Sequence, residues 1–198
     1  MMKAYLFILT AFAMVSTGFA QSSHNMQMAR YGGPAYMGKP ALEVTASFVE
    51  AGGGANFSVA KALTSMLGAD TVKAEVGKLE AQYGKARIQK WIVMFDYAVK
   101  DALRIATNAK VKLPKGNMKG AALALTMAKA AMDKDGTVYT ELLLDKALSH
   151  DIHEAVMDDM DKKFGPSQDL DFHRITNQAL FDVASALKVK GAKLAKLH

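Results

Sequence analysis

Between Ala86 and Ala109 the apolar residues Ile88, Trp91, Ile92, Phe95, Val99, Ala102, Leu103 and Ala106 recur at three- and four-residue spacing. That spacing lays them along one broad stripe of an α-helix, with Lys100 and Arg104 on the opposite side. The only tryptophan of the chain lies in the stripe. A long helix with so wide an apolar face has to be covered by other helices, so this segment predicts the central core helix of an all-α domain.

The flanking sequence supplies the partners. Val59 to Leu67 predicts a short helix. Asp70 reads as the cap of the next, with Val72, Val76, Leu79 and Tyr83 on one face and Gly84 as its stop. Met118 to Met132 is alanine-rich and apolar nearly all round, which suits close approach to several neighbours. Val138 to Leu148, Ser149 to Phe164 and Asp169 to Lys188 follow, separated by "DKDG" and "GPS". No regular alternation of strand and helix appears. The expected fold is all-α, a compact bundle or globin-like stack of about six to seven helices after a flexible N-terminal arm.

The first twenty residues have the build of a secretory signal peptide. Lys3 is the positive start, Ala4 to Val15 a short apolar run, and Gly18 and Ala20 the small residues before a cleavage point. The apolar run is too short for a comfortable span, and no second one follows, so no transmembrane span is expected after cleavage. A periplasmic or secreted location follows. The chain has no cysteine. Disulfides, thiolate zinc sites, iron–sulfur clusters and haem attached through cysteines are therefore excluded. The formal net charge is +6, and the leader holds only Lys3 of it. Such basicity suits an acidic protein or an anionic membrane surface, and export argues against nucleic acid.

Residues 21–56 read as a flexible arm and linker rich in Gly, Pro and Met, and 57–198 as the all-α domain. Within the linker, Leu42, Val44, Ala46 and Phe48 alternate with polar residues, compatible with a short strand or equally a short helix. Gly52 to Gly54 end that segment. Without a P-loop lysine they read as a hinge rather than an anion cradle.

An internal echo is also present. "EVGKLEAQYG" followed by "RIQKWIVMFDYAVKDAL" resembles "VMDDMDKKFG" followed by "RITNQALFDVASAL". A duplication would place two helical hairpins about a pseudo-two-fold axis, with Val72 the counterpart of His153. The competing explanation is that amphipathic helices share composition.

No motif names a reaction. With Gly136 at position 6 of an EF-hand loop, position 1 would be Ala131 and position 12 Leu142, so the calcium reading fails. The Glu-x-x-His pairs of di-metal bundles, His-Glu-x-x-His and a serine elbow are absent. The protein is therefore not expected to be an enzyme.

The candidate ligands are histidines and methionines. At about 100° per residue, Ile152, Val156, Met157, Met160 and Phe164 gather on one side of their helix. His153 falls inside that apolar arc and His150 at its border. Asp151, Glu154, Asp158 and Asp161 lie opposite, as a solvated face. A histidine in an apolar stripe needs a hydrogen-bond partner or a ligand. In the last helix His173 sits at the edge of the face formed by Phe172, Ile175, Ala179, Val183 and Leu187. In an antiparallel hairpin His173 lies level with Met160 and about 10 Å from His153 along the axis, too far for one ion to bind both. His153, His173, Met157 and Met160 are the cofactor-binding candidates. His150, together with His24, Met26 and Met28 of the arm, forms the metal candidates, since imidazole and thioether select soft ions such as Cu(I). The expected function is an exported, non-enzymatic binding protein holding copper or haem. The alternative is an interaction protein with no cofactor, presenting a basic helical surface to its partner.

Overall fold

The computed structural model describes residues 39–195. Eight α-helices build this part: α1 (Lys39–Ala51), α2 (Val59–Leu67), α3 (Ala69–Tyr83), α4 (Lys85–Asn108), α5 (Gly120–Ala130), α6 (Thr140–Leu148), α7 (His150–Phe164) and α8 (Ser167–Ala186). Two two-residue strands, β1 (Thr137–Val138) and β2 (Lys193–Leu194), pair in parallel and tie the C-terminal end to the α5–α6 loop. The fold class is all-α, as the apolar periodicity predicts. No helix among the described residues is long and apolar enough to cross a membrane.

The eight helices are one four-helix pattern used twice. The second set starts 81 positions after the first at every helix but the last: Lys39 and Gly120, Val59 and Thr140, Ala69 and His150. The short helices α2 and α6 both have nine residues, and α3 and α7 both have fifteen. Gly84 and Gly165, also 81 apart, end α3 and α7 with nearly equal backbone angles. A specific bond recurs too. The Val59 amide donates to Asp96 Oδ1 at 2.6 Å, and the Thr140 amide donates to Asn177 Oδ1 at 2.6 Å, each across 37 residues. Asp96 and Asn177 are again 81 apart, so the register continues through the long helices.

The two copies pack reciprocally. α3 lies against α8 as α4 lies against α7, and α4 crosses α8. At that crossing the Trp91 indole N–H donates to Thr176 Oγ1 at 2.9 Å. The same relation taken from the other copy pairs Phe172 with Phe95, whose rings are 5.9 Å apart. A pseudo-two-fold axis therefore runs between α4 and α8.

The core has two parts. Phe48, Phe57, Val59, Ala62, Leu123, Met127 and Leu143 form one cluster, mostly from α1, α2, α5 and α6. Ile88, Trp91, Met94, Val156, Met160, Phe172 and Ile175 form the other, among the long ones. Each large apolar side chain fully buried in this way stabilises by about 1.5–3 kcal/mol.

The duplication suspected from sequence has a different alignment from the one the letters suggest. The stretch ending in Gly84 and Gly165 is in register. The Arg87-Ile88 and Arg174-Ile175 match is not, because those pairs are 87 apart while the cap bonds fix 81. Few side chains are identical at the true offset; Leu63/Leu144 and Leu67/Leu148 are two such pairs.

Two local expectations change. Residues 39–51, inside the segment expected as arm and linker, form α1, and its Thr45 to Val49 are all buried. Alternation of apolar residues could not distinguish a strand from a helix enclosed on several sides. Gly52 to Gly54 make the corner into α2, where a Cβ on Gly52 would sit 2.3 Å from the Phe57 ring. Asp70 lies in the first turn of α3 rather than at its cap. Gly68 (φ 83°, ψ 152°) joins α2 directly to α3 and occupies the cap position. The equivalent α6–α7 corner has the same shape at Ser149 (φ 66°, ψ 155°). That region is essentially reserved for glycine, and a serine held there costs on the order of 1–3 kcal/mol.

The cap bonds join each short helix to its long helix, so they are the place to perturb the fold. Asp96→Ala and Asn177→Ala should each destabilise by about 1–3 kcal/mol, because a helix-start N–H loses its partner. Asp96→Asn, which keeps an amide oxygen as in the second copy, should cost under about 1 kcal/mol. Urea unfolding of the three variants measures both.

Candidate functional site

Between the two core clusters lies a cavity of about 80 Å³, open to solvent on one side. Phe48 of α1, Ala98 and Ala102 of α4, Leu143 and Ala147 of α6 and Val156 of α7 are among its walls. It holds far more room than the ~10–15 Å³ that one water needs, and about half of the ~150 Å³ of an engineered apolar cavity that stays dry and takes benzene or xenon. Its walls are almost wholly apolar. His153 and Thr45 are the polar side chains among them. The Thr45 hydroxyl is engaged with the backbone, donating to Ala147 O at 2.6 Å. Met127 and Met157 also line the space.

His153 is 2% exposed. Its Nδ1 lies 2.7 Å from Asp145 Oδ1, the geometry of a ring N–H donating to a carboxylate. Asp145 is itself buried, on the last turn of α6. The strained corner at Ser149 turns the chain so that α7 returns beside α6, and this brings residue 153 back onto residue 145. A buried carboxylate is expensive unless paired, and a buried ion pair seldom stabilises more than an apolar substitute does. The other copy shows that the corner needs neither group: the counterparts of Asp145 and His153 are Thr64 and Val72.

His150 stands outside this pair. Its Nδ1 is 3.5 Å from Asp145 Oδ1 and its Nε2 3.4 Å from Glu154 Oε1. Thus two of the histidines singled out from sequence share one carboxylate. Neither belongs to a metal site of familiar composition: among the described residues, no group of three or more His, Cys, Asp or Glu is placed to hold a metal ion. His24, Met26 and Met28 lie outside the described residues.

The four cofactor candidates divide. His153 and Met157 line the cavity. Met160 is 2% exposed in the core beside Phe172 and Ile175, and is not among the cavity residues. His173 is held elsewhere, with Nδ1 2.9 Å from Asp169 Oδ1 and Nε2 4.0 Å from Glu141 Oε1. Sequence reasoning set His173 level with Met160, but α6 packs its first turn onto α8 and puts Glu141 beside Nε2. It also missed Asp145 and the walls supplied by α1 and Met127. The one signal for Asp145 was the repeat itself, since the 81-residue register aligns Ser149 with Gly68 and so reveals the sharp corner.

Burial disfavours the charged form of His173. The hydrogen bond and charge of Asp169, and then the charge of Glu141, outweigh it and raise its pKa from 6.5 to about 9. Asp169 is shifted the other way: its burial opposes ionisation, but the contact with His173 prevails and lowers its pKa. A raised histidine pKa means that the folded state holds the proton more tightly than the unfolded chain. The stabilisation is complete below pH 6.5 and is lost as pH rises through about 9. The unfolding free energy should therefore fall across that window, with a slope of at most about 1.4 kcal/mol per pH unit. Asp169 is 43% exposed, so solvent screening should reduce the fall. Urea unfolding at a series of pH values should show the fall in the native protein and lose it in His173→Gln; an equal fall in both would assign it to other groups.

The chain matches no known protein family, and no curated protein or solved structure is significantly similar to it.

Proposed function

We propose that this is an exported, non-enzymatic binding protein whose cavity takes a small apolar molecule, or the apolar end of a larger one projecting through the open side. The observation that carries this reading is the cavity wall. Among the described residues it is apolar around nearly all its surface and has one ionisable side chain, His153, fixed by Asp145. Apolar pockets with a few placed polar groups are the usual form of small-molecule sites. Export rests on the first twenty residues of the sequence.

A soft metal fits the cavity less well than an organic occupant does. Met127, Met157 and His153 all line it, but Asp145 already engages one nitrogen of His153. The cavity is also too small to enclose a haem.

The other copy suggests the variant that closes the space. Ala147 on the wall corresponds to Met66, which is 6% exposed in the core. Titrating benzene into protein with labelled methionine methyls should shift the Met127 and Met157 signals saturably. Ala147→Met should weaken that binding at least tenfold and leave the fold intact. Absence of any saturable shift, or a shift unchanged in Ala147→Met, would count against the cavity as the site. Stoichiometric copper or a haem absorption band in protein purified from the export compartment would replace the apolar ligand with a cofactor.

A further inference from the structure

The cavity is apolar, yet a line of ionisable groups leads from solvent to its wall. Glu154 has a side chain 52% exposed; His150 is 24% exposed, Asp145 6% and His153 3%. The successive contacts are 3.4 Å from Glu154 Oε1 to His150 Nε2, 3.5 Å from His150 Nδ1 to Asp145 Oδ1, and 2.7 Å from Asp145 Oδ1 to His153 Nδ1. His150 is entered at one ring nitrogen and left at the other, which is how an imidazole passes a proton on without keeping a charge. The two outer gaps are at the edge of hydrogen-bond length, within reach of a small side-chain rotation or a bridging water.

The repeat provides an internal control for whether the fold needs this line. The α2–α3 corner has the same backbone shape as the α6–α7 corner. There the counterparts of His150, Asp145 and His153 are Ala69, Thr64 and Val72, none of which is ionisable, and the counterpart of Glu154 is Lys73. A helical corner of this kind is built without the four groups. The second copy holds all of them, and it holds Ser149 in the strained conformation at the centre of the line.

We propose that Glu154, His150, Asp145 and His153 form a proton path between solvent and the cavity. A proton released by the occupant binds His153 at Nε2, and His153 gives the one on Nδ1 to Asp145. Asp145 passes it to His150 at Nδ1, and His150 releases its Nε2 proton towards Glu154. The reverse sequence carries a proton in. No electron moves and no other bond changes. Asp169 of α8 is a further charged group that interacts with His153. The wall facing it from α1 and α4 is apolar apart from Thr45. The path rests on the cavity reading only for its use: the occupant it serves is a small molecule with an ionisable group, such as a phenol or an amine, that gains or loses a proton while bound.

Ring N–H exchange with water, measured by NMR on protein labelled with ¹⁵N-histidine, tests the path without any ligand. His150→Phe blocks the middle of the line and keeps the corner filled. It should slow exchange of the His153 ring proton at least tenfold, while backbone amide protection in α6 and α7 stays as in the native protein. Glu154→Gln changes only an exposed side chain and should slow the same exchange severalfold, so the test does not depend on one variant folding. Unchanged or faster His153 exchange in both folded variants would overturn the path. Benzene titration of the same variants keeps the two readings apart: binding that persists with unchanged exchange defeats the path alone, and slowed exchange without binding defeats the cavity reading alone.

Discussion

Each short helix begins on a side-chain oxygen from a long helix. Asp96 accepts the Val59 N–H and Asn177 the Thr140 N–H, both at 2.6 Å. The first N–H groups of an α-helix have no partner within the helix, so something else must satisfy them. Here the partner comes from 37 residues away, which fixes α2 and α6 against the middle of α4 and α8. The sharp corners at Gly68 and Ser149 then send α3 and α7 back alongside the long helices. In the second copy the same arrangement closes the cavity and brings Asp145 to His153. The site thus depends on a brace that does no chemistry itself.

The all-α class and most helix positions were legible in the sequence because apolar residues recur at helical spacing. Val59 to Leu67 is recovered residue for residue, and the Trp91 stripe is the core helix it promised. His153 was legible as buried because it falls inside an apolar arc. Other features were hidden for physical reasons. The repeat keeps backbone corners and cap bonds but few side chains, since Asp96 and Asn177 offer the same oxygen from different residues. An alignment by letters therefore drifted to the Arg-Ile pairs. Asp145 could not be matched to His153 from periodicity alone, because the pairing depends on a positive-φ serine where sequence rules look for glycine. The helix α1 was ambiguous because it is buried on several sides, which removes the polar face that would have marked its period.

The two copies share a framework and differ in what they place on it. Cap bonds and corner geometry recur, and equivalent positions meet at the pseudo-two-fold. The buried His153–Asp145 pair, His150 and the His173–Asp169–Glu141 group belong to the second copy alone; their counterparts are Val72, Thr64, Ala69, Ile92, Ile88 and Ala60. Buried ionisable groups are costly and do not serve packing well. Of these groups His153 stands on the cavity wall, which both copies supply; the first copy also buries a carboxylate, Asp101 of α4, paired with Arg104.

The most direct test of the cavity as a binding site is a crystal structure of the protein under xenon pressure. Xenon binds apolar space without needing any specific polar contact. Density for it among Phe95, Met157 and Phe172, close to His153, is the expected result. Xenon found only elsewhere, or a cavity closed by its own side chains, would contradict the assignment of this space as the place where the protein holds its ligand.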